Sequence, residues 1–489
     1  MNTTDIRTLG QLKEAGYQPR SIRDEMRANL VQAIRDRRNV FEGIIGYDHT
    51  VLPQVQRALL SRHDILFLGL RGQAKTRMAR MMTALLDEYV PVIDGAELHD
   101  DPLHPTTVSG KTLVAEMGDD TPVTWLHRNE RYVEKLATPD VTVADLIGDV
   151  DPIKAVNEKL SFSDERVIQY GLIPRSNRCL FVLNELPDLQ PRIQVGLFNI
   201  LQEGDVQIRG FTVRLPLDVG FVFTANPEDY TNRGSIVTPL KDRIGSQILT
   251  HYPNSLRESK AITAQEADAG GREHIEVPEL ARDLLEQVAI EARSSELVDE
   301  KSGVSARLTI SAFENLLSAA ERRLLLNGED GGTVQMGDVH GIVPALTGKI
   351  ELVYEGEQEG PRMVAQQLIS RAIRTQFEQH LPVPNERTSD EGPDPYAEVT
   401  DFFAGGVVLE LLDDDSAARI RELLDTVPGL SELAQRHFGD DWTDFHRAFI
   451  LHGLAEHSLI GKTEMIGSTG FRDLLGGMFS GVGDEDDLG

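Results

Sequence analysis

The sequence predicts an α/β fold: a doubly wound parallel sheet followed by helical domains. Three observations predict it. Short, unbroken apolar runs alternate with helical stretches over the first 250 or so residues, and such runs suit strands covered on both faces of a parallel sheet. One run leads straight into a glycine-rich turn and then a helix, as strand–helix units do. From about Val277 onward, apolar residues recur at three- and four-residue spacing, the period of a helix.

Residues 1–40 read as helical and basic, with Arg20, Arg23, Arg27, Arg35, Arg37 and Arg38. Residues 41–62 turn through Gly43 and Gly46 and continue as an amphipathic helix. Five runs read as the strands of the sheet: 64–68 (DILFL), 90–93 (VPVI), 179–183 (CLFVL), 219–224 (VGFVFT) and 247–250 (QILT). More than eighty residues separate the second run from the third, too many for a loop, so insertions are expected there. Residues 205–215 (DVQIRGFTVRL) alternate around Gly210 and read as a β-hairpin. The expected divisions are an N-terminal helical segment at 1–40, an α/β core at 41–255, a helical domain at 275–381, a polar, proline-rich linker at 382–395, a mostly helical C-terminal domain at 396–475, and a disordered acidic tail at 476–489.

Composition limits the function classes. At about 150 residues per domain, 489 residues make several domains. With 40% apolar and 26% charged residues, wholesale disorder is excluded. Lys plus Arg is 49 and Asp plus Glu is 79, a net charge of −30, which disfavours general nucleic-acid binding. The single cysteine, Cys179, excludes an intrachain disulfide and a cysteine metal cluster. No apolar run approaches the roughly 18 residues of a membrane helix, and the first residues carry no apolar signal-peptide core, so a cytoplasmic protein is expected.

The sharpest motif is 65–80, ILFLGLRGQAKTRMAR. Gly69-Leu70-Arg71-Gly72-Gln73-Ala74-Lys75-Thr76 matches GxxxxGKT except that Ala74 stands where the last glycine belongs. Such a loop curls backbone N–H groups around phosphate oxygens, and the helix start adds its positive dipole end. Lys75 neutralises the β and γ phosphates of a bound nucleotide, and Thr76 offers a hydroxyl to Mg²⁺. The bland alternative is a chance strand-to-helix turn.

Two strand ends and two arginines add to it. CLFVLNELPDL closes an apolar strand with Asn184 and Glu185, where nucleotide hydrolases place an acidic pair. Glu185 can serve as the base that polarises water, whereas Asn184 has the shape of Asp without its charge. FVFTANPEDY ends a strand at Asn226, whose amide can hold water or the γ-phosphate; an Asn-Pro turn is the alternative. TPLKDRIGSQI places Arg243 just before the fifth strand, and SGVSARLTI places Arg307 at a helix start; each is otherwise a surface arginine. All stand at strand carboxyl ends or in the helical domain, where open α/β sheets bind ligands.

Together these stretches resemble the AAA+ ATPases of the MoxR and magnesium-chelatase I-subunit group, over about the first 350 residues. The resemblance runs through IIGYDHTVLPQVQRALL, the long segment RSNRCLFVLNELPDLQPRIQVGLFNILQEGDVQIRGFTVRLP, FVFTANPEDY with LKDR, and SARLTISAFENLLSAAERRLLL. It implies a P-loop AAA+ core with a five-stranded parallel sheet, a helical lid, and ATP with Mg²⁺ as cofactors. By that resemblance Gly46 and Tyr47 lie in the adenine-contacting segment, and Lys75 and Thr76 are the Walker A pair. Asn184 and Glu185 are the Walker B pair, Asn226 is sensor 1, Arg243 the arginine finger and Arg307 sensor 2. The cofactor-binding set is then Gly46, Tyr47, Gly69, Arg71, Gly72, Gln73, Ala74, Lys75, Thr76 and Arg77, with Thr76 and Asn184 toward the metal. The hairpin at 205–215 matches a pre-sensor insertion, and the stretch before Cys179 has room for a helix-2 insertion. The resemblance also implies a homo-oligomeric, hexameric ring, a partner with a von Willebrand A domain, and a client protein to be remodelled or matured.

Three departures bear on rate. Ala74 puts a methyl where glycine is free of steric cost, Asn184 removes a carboxylate from the magnesium shell, and Ile244 follows the finger arginine in place of phenylalanine. ATP binding with slow or partner-stimulated hydrolysis is therefore expected. The other readings are a magnesium or cobalt chelatase component for tetrapyrroles, a nucleotide-binding scaffold with little hydrolysis, and a σ54-type activator, which lacks a GAFTGA-like loop here. Four features carry no function. Gly461-Lys462-Thr463 sits in an expected helical run with no glycine five residues before it. HDDPLH at 99–104 reads as a polar loop, Trp125 as a packed side chain, and His452 with His457 as surface residues.

Overall fold

Neighbouring residues of the central strands face opposite ways, and each face has its own core. In the computed structural model, Ile65, Phe67, Leu180, Val182, Val222 and Ile248 join one apolar cluster with Ile22, Met26, Val51, Val55, Met78 and Met82. Leu66, Phe181, Leu183, Phe221 and Phe223 join another with Ile193, Leu197 and Leu240. The first cluster draws on the helices Ile22–Arg35, Val51–Leu60 and Lys75–Met81, the second on Pro191–Glu203 and Thr238–Arg243. Both faces of the sheet are covered, so its central strands are apolar and the domain is doubly wound. Each fully buried aliphatic or aromatic side chain contributes about 1.5–3 kcal/mol to this packing.

The structure describes residues 5–157, 159–160, 165–204, 215–227, 235–384 and 393–474. They fall into two units, Met1–Tyr252 and Pro253–Gly489. In the first unit five strands form a sheet in the order Tyr132–Leu136, Cys179–Asn184, Val219–Ala225, Ile65–Leu68, Ser246–Leu249. Every pairing in it is parallel. The expected five-stranded, doubly wound α/β core is thus present.

One of its strands is not the expected one. The VPVI run lies in Tyr89–Ile93, which pairs antiparallel with Val123–His127 in a separate two-stranded sheet. Pro91 lacks an N–H and suits such a small sheet better than the interior of a large one. Its expected place is taken by Tyr132–Leu136 (YVEKL), an edge strand whose residues are half-buried or exposed. An edge strand needs no continuous apolar run, so its sequence carries charge. The stretch between Ile93 and Cys179 also holds the helix Val108–Met117 and the antiparallel pair Gly148–Val150 with Ile168–Tyr170. The N-terminal segment packs through a buried pair in which Arg131 donates to both Glu25 carboxylate oxygens, at 2.6 and 2.8 Å. The reading of 205–215 as a hairpin falls outside the described residues except for Leu215, and so do the tail and most of the 382–395 linker.

The second unit is helical with a small sheet. Its long helices are Glu279–Ser294, Arg307–Asn327, Pro361–His380 and Asp444–Glu456. Their apolar faces share one core cluster, from Ile275 to Phe471. Leu409–Leu412, Ser468–Arg472 and Gly461–Met465 form an antiparallel sheet in that order. Gly461-Lys462-Thr463 therefore lies in a strand, not a helical run; Lys462 pairs with Glu456 at 2.5 Å and Glu464 at 2.7 Å. His452 and His457 are buried, not on the surface as expected. The helix that carries His452 is buried along residues 444–454, so no face of it meets solvent there. The 99–104 segment is a polar loop whose Asp100 accepts from the Thr106 hydroxyl at 2.7 Å. Trp125 is partly buried and donates to the Ile6 carbonyl at 2.9 Å. Among the described residues no helix is long and apolar enough to cross a membrane.

Candidate functional site

The Ile65–Leu68 strand, between two parallel neighbours, delivers the chain to the edge of the sheet, where it turns into the Lys75–Met81 helix. The turn needs Gly69, because a Cβ there would stand 2.0 Å from Thr250 Oγ1 and 2.3 Å from Gln73 Oε1. Ala74 has φ 56° and ψ 16°, a left-handed conformation that costs an L-residue about 1–2 kcal/mol. Its methyl packs against the apolar cluster that contains Tyr47 and Met78. The loop is tied down from the neighbouring strand exit. Thr250 Oγ1 donates to Gln73 Oε1 at 2.6 Å, and the Tyr252 hydroxyl donates to the Arg71 carbonyl at 3.2 Å. The Tyr47 hydroxyl lies 3.1 Å from the Gln73 carbonyl and 2.7 Å from that of His251. Burial pushes its phenol up to about 12, so it stays a donor.

Lys75 is buried and its ammonium is ringed by oxygen. It donates to the Gly69 carbonyl, to the Leu70 carbonyl at 2.8 Å and to Asn226 Oδ1 at 2.7 Å. Asn226 in turn donates through Nδ2 to Glu185 Oε2 at 2.8 Å. One amide thus bridges Lys75 and Glu185. Glu185 has φ 55° and ψ 50°, and its N–H donates to Thr224 Oγ1 at 3.1 Å. Strained backbone of this kind is held by its surroundings and often marks working sites.

Thr76 Oγ1 donates to Asn184 Oδ1 at 3.3 Å, and Thr224 Oγ1 donates to the same oxygen at 3.1 Å. Asn184 Nδ2 donates to Glu134 Oε1 at 2.7 Å. Glu134 also accepts from Arg80 Nε at 2.9 Å and from the Tyr132 hydroxyl at 2.8 Å. Burial alone would raise the Glu134 carboxyl, but the Arg80, Tyr132 and Asn184 hydrogen bonds outweigh it and hold it below the usual carboxylate range. Among the described residues no group of three His, Cys, Asp or Glu side chains is placed to cage a metal. Mg²⁺ suits what is here, since it takes few protein oxygens and keeps water and phosphate for the rest. Thr76 and Asn184 supply neutral oxygens and Glu134 a charged one nearby.

The structure brings Lys75, Thr76, Asn184, Glu185 and Asn226 into one hydrogen-bonded set, with Gly69 and Gln73 forming the loop around them. Arg71 and Arg77 are exposed on that loop and helix. Gly46 has φ 82°, beside Tyr47, which braces the loop. Arg243 stands apart from the set: it donates to Gln202 Oε1 at 2.9 Å and to the Pro239 carbonyl at 2.7 Å, with its guanidinium 5.1 Å from the Phe198 ring centre. Arg307 is exposed at the head of the Arg307–Asn327 helix in the second unit. Glu134, Thr224 and Arg80 were missed. Thr224 lies in the strand that Asn226 follows, two residues before it, whereas Glu134 is read only once its strand is known to lie beside Asn184.

No protein-family model matches the chain, and no curated protein does. Solved structures do. The chain is similar to NtrX from Brucella abortus, at 15% identity over 63% of this chain and 57% of that one, with a TM-score of 0.35. It thus spans little more than half the length of that protein. It is similar to the same NtrX in complex with ATP, at 15% identity over 72% and 67%, TM-score 0.39. It is also similar to the complex between subunits BchI and BchD of magnesium chelatase, at 20% identity over 65% of this chain and 98% of that one, TM-score 0.33. These likenesses cover 63%, 72% and 65% of this chain.

Proposed function

We propose that this chain is an ATP-binding AAA+ ring subunit of the MoxR and magnesium-chelatase kind, which hydrolyses ATP slowly or on stimulation and remodels or matures a client protein. The observation that carries this reading is the Lys75–Asn226–Glu185 chain of hydrogen bonds across adjacent parallel strand ends, where open α/β sheets take ligands.

The residues divide the work by chemistry. Backbone N–H groups of 69–76 and the helix start favour phosphate. Lys75, held by oxygens, exchanges carbonyl acceptors for phosphate oxygens and neutralises them. Glu185 takes a proton from, or orients, the attacking water. Asn226 keeps Glu185 and Lys75 in register. Mg²⁺, when bound near Thr76 and Asn184, supplies charge neutralisation on the phosphates. Arg243, at the end of a surface helix, is assigned as a finger for a neighbouring copy; that requires a head-to-tail ring, for which a hexamer is the proposal. Arg307 is assigned as sensor 2, and a von Willebrand A-domain protein as the partner, on the sequence resemblance.

Asn184 favours a second reading, a scaffold in which nucleotide only holds the ring together. The two part on steady-state phosphate release by wild type beside Glu185→Gln, with particle size measured with and without ATP. Release by wild type that Glu185→Gln abolishes supports the ATPase. No release under any condition, with ATP-dependent assembly, supports the scaffold.

A further inference from the structure

We propose that Glu134 supplies the carboxylate charge that Asn184 withholds from the magnesium shell, and that Arg80 competes with the metal for it. This inference rests on the ATP reading above and goes beyond it. Mg²⁺ at a phosphate site is held by the substrate phosphates together with one or two protein carboxylates, directly or through water. Asn184, at the Walker B position, offers an uncharged amide. Its Nδ2 meets Glu134 Oε1 at 2.7 Å, while its Oδ1 accepts from Thr76. A single amide thus separates the Thr76 hydroxyl from a carboxylate.

The register explains the placement. Leu136 lies opposite Asn184 and Glu134 opposite Val182, so Glu134 comes from the strand next door and shares a sheet face with Asn184. An aspartate at 184 would set two carboxylates within hydrogen-bond distance, and like charges that close cannot both stay ionised without cost. The neutral amide at 184 is therefore the partner that Glu134 requires. The site keeps one carboxylate, moved one strand over, where it acts as acceptor for the metal's water shell.

Arg80 sets the strength of this charge. It lies four residues after Thr76 on the same helix, and its guanidinium reaches both Glu134 oxygens, at 2.9 and 3.2 Å. Its side chain is 64% exposed against 23% for Glu134, so the pair is solvent-screened and can be exchanged for a metal. Glu134 is a positioning residue here, acting on the metal through water and through Asn184.

The test uses the full chain and a fluorescent ATP analogue. Nucleotide binding is titrated with Mg²⁺, and Mn²⁺ occupancy is read independently by electron paramagnetic resonance. Glu134→Gln should raise the Mg²⁺ midpoint by about tenfold, the scale of losing an outer-shell partner, with metal-free nucleotide affinity unchanged. Arg80→Gln should lower the midpoint several-fold. Glu134→Gln combined with Asn184→Asp should return it to near the wild-type value. General damage moves both single variants the same way, so opposite shifts support the proposal. Unchanged midpoints, or shifts in the same direction, overturn it and leave the ATP reading standing if nucleotide still binds. Failure of wild type to bind nucleotide at any Mg²⁺ concentration overturns the ATP reading itself.

Discussion

Asn226 donates its side-chain amide to Glu185 at 2.8 Å and accepts from Lys75 at 2.7 Å through the same group. One side chain thus holds both Glu185 and Lys75. A displacement of Lys75 therefore reaches Glu185 through that side chain. The bond also occupies a Glu185 oxygen, so the base role proposed for Glu185 requires that oxygen to turn toward water.

Glu185→Gln should keep ATP binding and lower turnover by about 10²-fold or more, the usual worth of a positioned base. Asn226→Ala should lower turnover as well, with nucleotide affinity changed by less than about tenfold, because it orients rather than binds. Calorimetry and steady-state phosphate release check both. Equal release from wild type and Glu185→Gln would show that the base is another residue.

Lys75→Ala should abolish measurable ATP binding. It also leaves the Leu70 carbonyl and Asn226 Oδ1 without their ammonium donor, a loss of about 1–3 kcal/mol of stability where such groups stay buried. Thermal melts and calorimetry read the two effects separately. ATP affinity equal to wild type would contradict the phosphate loop.

The loop and two strand ends were legible because their signals are local. The Ile65–Leu68 strand, the glycines and Lys75–Thr76 adjoin one another, and Asn184, Glu185 and Asn226 each close an unbroken apolar run. Partners distant in sequence were not legible. The VPVI run gave no sign that it pairs with Val123–His127, and the YVEKL edge strand lacks the apolar continuity of a central one. Glu134 meets Asn184 only because those strands are neighbours, fifty positions apart. Likewise, the burial of His452 and His457 comes from packing within the second unit that their spacing does not reveal.

Ala74→Gly should relieve the left-handed backbone at φ 56°. Glycine reaches that region at no steric cost, while its extra freedom in the unfolded chain takes back about 0.5–1 kcal/mol. The expected net is an unchanged or slightly raised melting temperature and ATP bound several-fold more tightly. Calorimetry on the two proteins decides it. Weaker binding in the glycine variant would mean that the methyl stabilises the phosphate-binding shape of the loop.

Arg243→Ala should leave ATP binding within about twofold of wild type and lower turnover by 10-fold or more, as removal of a charge-stabilising arginine does. Among the described residues it loses contacts with Gln202, Pro239 and Phe198, so the melting temperature should barely move. Mixing Arg243→Ala with Glu185→Gln recreates some intact sites if the arginine serves a neighbouring copy. Absence of recovered phosphate release at every mixing ratio would argue against a shared site.

Acid should weaken the second unit through its buried histidines. Burial, and then the charge of His380, depress His446 to about 4; burial also holds His452 well below its usual value, helped by the charges of Lys462 and His340. Unfolded, each takes up a proton below about 6.5. Between that pH and the folded value the unfolded chain binds more protons, so this stability is full above about 6.5 and is lost as pH falls, by up to about 1.4 kcal/mol per pH unit for each histidine. His340 opposes them: burial lowers it, but its bond to Asp413 raises it overall, so its contribution is present at low pH and lost as pH rises. A single substitution isolates the effect. Among the described residues His452 Nδ1 has no hydrogen-bond partner, so His452→Leu loses no bond at that nitrogen. The drop in melting temperature from pH 7.5 to 5.5 should be smaller in His452→Leu than in wild type. Equal drops in the two proteins would mean that His452 is already protonated, or solvated, in the folded chain.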